Sequence, residues 1–355
     1  MFMNAIEYVG VTKCNFFNQN RETVPYSVAP TPLIRLSRLS ELTGCEILAK
    51  AEFLNPGGSV KYRTAVGIIK DAEAKGLLHP GDTIVEGSAG NTGIGLTIAG
   101  KARGYQTVIV VCETTSPEKI AKLRDLGARV VIVPARPEGH PENYNCVAQR
   151  LAREHGYFWA NQFDNTSNRL AHYQTTGPQI WEQTGGRVSG FVSAVGTGGT
   201  LAGTSMYLRE QNPNVNIVCA DPSGGAMWSW FTRGILEPGA DDSIAEGIGQ
   251  TRVTGNLADL TVDRAYRIDD QTAVTIVYHL LREEGLWVGL SSGINVGGAL
   301  RLALEGGPGQ VIATILSDGG QNYRSRLFNN EWLKSHNLDS NRPVASVISS
   351  EVRAC

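Results

Sequence analysis

The chain has 355 residues, 19% of them charged, and a formal net charge of -2. That length accommodates two α/β domains of ordinary size, and the balanced charge gives no overall positive field to draw in nucleic acid or an anionic membrane. A small molecule or a second copy of the chain is the expected partner.

The opening segment, MFMNAIEYVGVTKCNFFNQN, is interrupted by Asn4, Glu7, Lys13 and Asn15, and reads neither as a signal nor as a transit peptide. Cys14, Cys45, Cys112, Cys146, Cys219 and Cys355 show no CxxC spacing, and Cys112 and Cys219 fall in apolar runs that read as core strands. Reduced thiols in a cytoplasmic protein are expected. The stretch NPGGSVKYR then sets Lys61 behind Pro56, Gly57 and Gly58 at a helix start. A lysine there is opposed by the helix dipole and is ordinarily solvated. It is not a Walker A loop, since G-x-x-x-x-G-K-[ST] cannot be laid on it. As a free base near neutral pH, Lys61 would need its pKa lowered by roughly three units, about 4 kcal/mol, which desolvation in a cleft can supply. A Schiff base with an aldehyde cofactor would instead tether the nitrogen.

From there short β-branched runs alternate with helical patterns. DTIVE precedes a helix over 94–103, TVIVVC one over 117–126, and ARVVIVP one over 147–155. GFVSAV leads to a helix from about Leu201, VNIVCAD to one over 227–232, and QVIATILSD stands near the end. This alternation is the signature of parallel sheets covered on both faces. The expected fold class is α/β, with two Rossmann-like open-sheet domains and a cleft between them. The expected bounds are 55–165 for the domain with the lysine and 31–54 plus 166–336 for the other. Residues 337–355 are polar and Ser-rich and read as a flexible tail. Residues 188–208 carry no charge, but their glycines, serines and threonines are too polar for a membrane span.

Two further glycine-rich loops follow strands, where open α/β sheets place their ligands. Gly196, Thr197, Gly198, Gly199 and Thr200 leave backbone N–H groups free to close on a phosphate at a helix N-terminus. Leu201 stands where a dinucleotide fingerprint needs glycine, and the loop taken alone also reads as a tight turn. Ser88, Ala89, Gly90, Asn91 and Thr92 gather hydroxyls, an amide and free N–H groups that suit a carboxylate, although Asn91 and Thr92 read as well as plain helix caps. The histidines at 79, 140, 155, 172, 279 and 336 have no metal-ligand spacing, so no metal is expected. Lysine, phosphate cup and carboxylate loop together fit pyridoxal 5'-phosphate carrying an amino-acid substrate.

The motifs NPGGSVK, GNTG, TTGPQIWEQTGG, AVGTGGT, EGIG and SSGINV follow one another in a familiar order. Across residues 31–329 the chain resembles the cysteine synthase (O-acetylserine sulfhydrylase) and cystathionine β-synthase family of fold-type II pyridoxal-phosphate enzymes. The resemblance implies that Lys61 is the Schiff-base lysine and general base, that Asn91 bonds the cofactor's phenolic oxygen, and that Gly196 to Thr200 hold its phosphate. It implies that Ser88 to Thr92, with Gln162, take the substrate carboxylate. Ser291, otherwise an ordinary helix cap, would face the pyridine nitrogen, and the loop containing Gly247 would border the substrate. The implied reaction is β-replacement on an O-activated serine through an aminoacrylate, with Lys61 removing and later returning the Cα proton. Cysteine from O-acetylserine and sulfide is the expected product. The alternatives are another nucleophile, a serine/threonine dehydratase, or a non-catalytic binding protein; a homodimer is implied by the family alone.

Tyr62 stands where the family has aspartate, Ala89 where it has serine, and Ala29 with Pro30 in place of Gly-Asn; SDGGQNY lacks the usual arginine. The hydroxyl missing at 89 would be worth about 0.5–1.5 kcal/mol to a bonded partner. Arg252 reads either as a reader of an acidic group or as a surface arginine.

Overall fold

The structure, a computed structural model, describes residues 28–348. In chain order the elements begin with β1 (Leu33–Arg35), α1 (Ser37–Thr43), β2 (Glu46–Ala51), α2 (Lys61–Ala74), β3 (Thr83–Gly87) and α3 (Asn91–Lys101). There follow β4 (Gln106–Cys112), α4 (Pro117–Asp125), β5 (Arg129–Val133), α5 (Tyr144–His155), β6 (Phe158–Trp159), α6 (Ser167–Gln174) and α7 (Thr176–Gln183). The remainder comprises β7 (Gly190–Ala194), α8 (Gly199–Gln211), β8 (Asn216–Pro222), α9 (Met227–Arg233), β9 (Arg264–Ile268), α10 (Asp270–Glu283), α11 (Leu290–Gly306), β10 (Val311–Leu316) and α12 (Asn330–Ser335).

The strands form two sheets. One runs β5-β4-β3-β6, wholly parallel, with Val85 between Val108 and Trp159. The other runs β1-β2-β10-β7-β8-β9, parallel except for β1. Strands buried on both faces must be apolar throughout, which is why TVIVV and VIATIL read as unbroken runs. In the larger sheet, Val192, Val218 and Ile312 pack with α10 and α11 on one face, while Phe191, Ile217 and Ala313 pack with α7 and α8 on the other. In the smaller sheet, α2 and α3 share a core with Ile84, whereas Val85, Val108 and Val110 pack against α5. Strands β1 and β2 come from before the smaller sheet in sequence and join the larger one beside β10, so the chain crosses between the sheets just before Lys61.

The segment expected as a flexible tail from 337 is built into the larger unit as far as 348. Leu338 and Val344 pack against the α10–α11 core and Val347 is buried. Gln271 exchanges two hydrogen bonds of 2.8 Å with the Asp339 backbone, and Arg282 Nη1 donates to the Ser340 carbonyl at 3.0 Å. Three apolar residues spaced along a polar stretch suffice to dock it, because α10 offers side chains that satisfy its backbone. Cys14, Cys355 and the opening segment lie outside the described residues. Cys219 is fully buried in β8 and Cys112 half-buried at the end of β4; Cys45, Cys112, Cys146 and Cys219 are all free thiols. Among the described residues no helix is long and apolar enough to cross a membrane.

Candidate active site

Lys61 owes its position to a backbone that only glycine tolerates. Gly57 and Gly58 take φ of +82° and +78°, and a Cβ on Gly57 would stand 2.9 Å from Ile98. After this double turn Ser59 forms a bridge with Asp318, and the Val60 N–H donates to the Ser317 carbonyl at 2.8 Å. The chain is thereby tied to the end of β10 one residue before α2 begins, and Lys61 opens that helix where the two sheets meet. Burial pulls the Lys61 amine below its usual pKa, and the carboxylate of Asp318 opposes the shift.

Facing Lys61 are two loops that each run from a strand end into a helix. After β3, the Ser88 hydroxyl accepts the N–H groups of Gly90 at 3.0 Å and Gly93 at 3.1 Å, which folds the loop back on itself. The N–H groups of Asn91 and Thr92 fall in the first turn of α3 and have no intrahelical acceptor. After β7, Gly196 approaches the opposite loop so closely that a Cβ would lie 2.2 Å from the Gly247 carbonyl oxygen. Gly198 takes φ +86° and caps α8. The first turns of α3, α8 and α11 contain no acidic residue. Their positive ends are therefore not offset locally, and the cleft seeks anions.

A second layer of side chains fixes these loops. Asn168 Nδ2 donates to Thr197 Oγ1 at 2.8 Å, and Asn168 Oδ1 accepts from Thr64 Oγ1 at 2.8 Å. His172 is fully buried beneath the loop, with Nδ1 2.8 Å from Thr176 Oγ1 and Nε2 3.3 Å from Thr200 Oγ1. Burial, helped by Arg63, pushes its pKa down to about 3, so it supports Thr200 as a neutral imidazole. Gln162 is also turned inward: Thr92 Oγ1 donates to its Oε1 at 2.5 Å, and its Nε2 donates to the Gly87 carbonyl at 2.6 Å. At the start of α11, Ser291 makes no helix-cap bond; its neighbour Ser292 instead accepts the Ser317 N–H at 3.1 Å.

Of the residues that the sequence assigns to cofactor and substrate, all but Gly90 and Gly199 line a single cleft of about 250 Å³. Gly90 lies just behind it, where a Cβ would meet Lys119 Cδ at 2.6 Å, and Gly199 packs on Asn168. Ser88 and Gln162 border the cleft with their polar atoms already engaged, so they shape the 88–92 loop more than they extend into the cleft. Ala89 lines the cleft, whereas Tyr62 is buried in the α2–α3 core and turned from it. Arg252 is bound by Asp164 at 2.9 Å and by Glu138, and is not among the lining residues. Sequence reasoning missed Lys119, Tyr144 and Tyr323. Lys119, 1% exposed, donates to Glu246 Oε2 at 2.8 Å, and Arg326 binds the other oxygen of that carboxylate at 2.5 Å.

A lysine amine between helix N-termini that draw anions, at the junction of two parallel sheets, is the setting of a cofactor-dependent α/β enzyme. The buried Asn91 Oδ1 and the glycine-lined approach at Gly196 leave a polar, side-chain-free cradle suited to a phosphorylated ring aldehyde. The chain belongs to the family described as pyridoxal-phosphate dependent enzyme, whose profile matches residues 24–318. Its fold is the fold-type II arrangement of that family, its cofactor is pyridoxal phosphate, and it acts on small molecules. It is 52% identical over 319 residues to cysteine synthase 1 of Neurospora crassa, covering 88% of this chain and 84% of the relative. It is 45% identical over 322 residues to the cysteine synthase of Dictyostelium discoideum, covering 88% and 85%. Among solved structures, that of O-ureido-L-serine synthase superposes with a TM-score of 0.80 at 37% identity, covering 88% of this chain and 96% of that one.

Proposed function

We propose that the chain makes cysteine by β-replacement on an O-activated serine, with O-acetylserine and sulfide as substrates. The observation that carries the reading is Lys61: a partly enclosed amine at the head of α2, facing the bare N-termini of α3 and α8 from opposite sheets. Similarity to cysteine synthases over most of the chain names the reaction. In this reading Lys61 would hold the cofactor through its amine and would serve as the base that moves the Cα proton. Asn91 meets the phenolic oxygen, Gly196 to Thr200 the phosphate, and Ser291 the ring nitrogen. Backbone N–H groups of Ala89, Asn91 and Thr92 bind the substrate carboxylate, held in place by Ser88 and Gln162. Gly247 borders the substrate side of the cleft. The cofactor supplies an electron sink for the Cα–H bond electrons; a neutral serine hydroxyl at its nitrogen, rather than a carboxylate, limits that sink and favours loss of the β-substituent. The protein is read as a cytoplasmic homodimer, supported by family resemblance and by the four free thiols.

Supplying O-acetylserine with and without sulfide tests the reaction. Cysteine formed only with sulfide is the expected outcome; keto acid formed without it would identify a dehydratase, and no consumption of any activated serine would sink the enzymatic reading. Sedimentation at micromolar concentration checks the dimer. The phosphate loop gives a sharper test. Gly196→Ala must push the 246–249 loop away from its 2.2 Å contact and strain the Gly249 N–H to Val195 carbonyl bond of 3.2 Å. Cofactor affinity is expected to fall about ten- to a hundredfold, about 1.4–2.7 kcal/mol, measured by titrating the apoprotein. An unchanged dissociation constant would remove this loop from the phosphate site.

A further inference from the structure

Asp318, at the end of β10, is 1% exposed and plays no part in the mechanism above. Its Oδ2 accepts the Asn91 Nδ2 hydrogen at 2.7 Å and the Tyr323 hydroxyl at 2.6 Å. Its Oδ1 is buried with no hydrogen-bond partner among the described residues. The fold makes room for that bare oxygen: a Cβ on Gly289 would lie 2.2 Å from it, while the Gly289 N–H donates to the Asp318 carbonyl at 3.0 Å. The bridge between Ser59 and Asp318 keeps the carboxylate beside the backbone that leads into Lys61. One oxygen would suffice to anchor Asn91 and Tyr323, so an unpartnered second oxygen in a buried site asks for a cation or a ligand.

The groups around it narrow the choice. Lys61 approaches from α2 and is electrostatically coupled to Asp318. Lys122 approaches from α4, but its Nζ donates to the Gly57 carbonyl at 2.7 Å. Lys119, on the same helix, is bound to Glu246, with its Nζ 4.3 Å from the centre of the Tyr323 ring. Tyr323 itself donates its proton to Asp318, and His172, on the Lys61 side, is neutral. Lys61 is thus the cation in this set whose amine makes no hydrogen bond to a described residue.

We infer that Asp318 is a positioning residue for the cofactor linkage, holding the Asn91 amide toward the phenolic oxygen and setting a fixed negative charge against the Lys61 nitrogen. The inference rests on the reading that Lys61 and Asn91 hold pyridoxal phosphate. A buried negative charge acting on Lys61 favours the protonated form of whatever it carries, amine or imine.

The test is a pH titration of the absorbance of the cofactor-loaded protein. Asp318→Asn preserves shape and removes charge; Asp318→Ser is a second variant should the amide fold poorly. Full loading is expected, with the midpoint of the protonated Schiff-base band lowered by about one unit or more. In Asp318→Ser the cofactor dissociation constant is also expected to rise about tenfold, as the anchored Asn91 amide is released. A folded variant of either kind with unchanged midpoint and dissociation constant would overturn the inference. A wild-type protein that develops no cofactor band, or a Lys61→Ala protein that keeps the same band, would overturn the underlying reading and this inference with it.

Discussion

Replacing Lys61 by alanine is expected to abolish the Schiff-base absorbance of the protein purified with excess pyridoxal phosphate. It should lower kcat for cysteine formation by about 10³- to 10⁴-fold, about 4–5.5 kcal/mol. The loss combines a missing covalent anchor with a missing base, and no neighbour can take over. Lys119 is held by Glu246 and Lys122 by the Gly57 carbonyl, and His172 lies buried beneath the Gly196–Thr200 loop with its ring nitrogens engaged. The fold should not suffer. The buried face of α2 is carried by Ala65, Val66, Ile68 and Ile69, not by the lysine, whose stem points into the cleft. A desolvated amine at a helix N-terminus works against stability, so the apo variant should melt at the same temperature as the apo wild type or slightly above it. A variant that keeps wild-type turnover would end the assignment of Lys61; one that unfolds would show instead that the residue serves α2.

The parts of this molecule that were legible in the sequence, and those that were not, divide along a physical line. Six strands, β3, β4, β5, β7, β8 and β10, were readable as β-branched runs, because parallel strands covered on both faces have to be apolar from end to end, whereas β1, β2 and β9 went unread. Where the expected helix starts were late, two of the three cases share a cause. Helices α3, α5 and α8 begin at Asn91, Tyr144 and Gly199, two or three residues ahead of the periodic apolar pattern. In α3 and α8 the first turn is made of glycine, asparagine and threonine, poor helix formers that leave N–H groups bare for a ligand. Chemistry therefore replaced the propensity signal at the very place where the helix matters. At α4, where Pro117 occupies the first turn, the start was read correctly. Strand β6, two residues long, has no pattern to read.

The site divides in the same way. Glycine-rich loops announce themselves in sequence, since close approach at Gly196 or a positive φ at Gly57 excludes other residues. Lys119, Tyr144, Tyr323 and Asp318 carry no such mark. Each enters the site, or the layer behind it, through tertiary contact between segments far apart in the chain, and a lysine, a tyrosine or an aspartate is compatible with almost any exposed position. The Lys119 stem passes Gly90 and its charge reaches Glu246 more than a hundred residues away, which no local pattern encodes. Substitution of the family aspartate by Tyr62 looked like a change beside Lys61 in the site, yet adjacent residues on a helix face different ways, and this one fills the core.

Glu52→Gln is expected to cost about 3–5 kcal/mol of unfolding free energy, and to do so in a pH-dependent way. Glu52 is fully buried and serves four donors: Arg63 Nε at 2.6 Å, Arg63 Nη2 at 2.8 Å, Thr31 Oγ1 at 2.7 Å and Asn55 Nδ2 at 2.7 Å. Burial alone would raise its pKa, but the charge and hydrogen bonds of Arg63, joined by Lys50 and Thr31, together hold it below the usual carboxylate range. The glutamine amide would turn donors toward donors and deprive two fully buried cations, Arg63 and Lys50, of the carboxylate they share. Arginine cannot shed its proton, whereas Lys50 can: burial already lowers its pKa to about 7 against the pull of Glu52. Without Glu52 that native value falls further, while the unfolded value stays near that of free lysine. Because the unfolded state then binds more protons than the native state, stability rises with pH through this window. The loss should therefore be largest below pH 7, where the wild type still holds Lys50 charged, and smaller near about pH 9, where Lys50 is neutral in both proteins. The consequence reaches the active site, because Asn55 and Arg63 bracket the double-glycine turn that delivers Lys61, so cofactor loading should fall together with stability. Urea unfolding of both proteins at the two pH values measures the effect; a loss below about 1 kcal/mol at both would mean that the pair is merely tolerated by the fold.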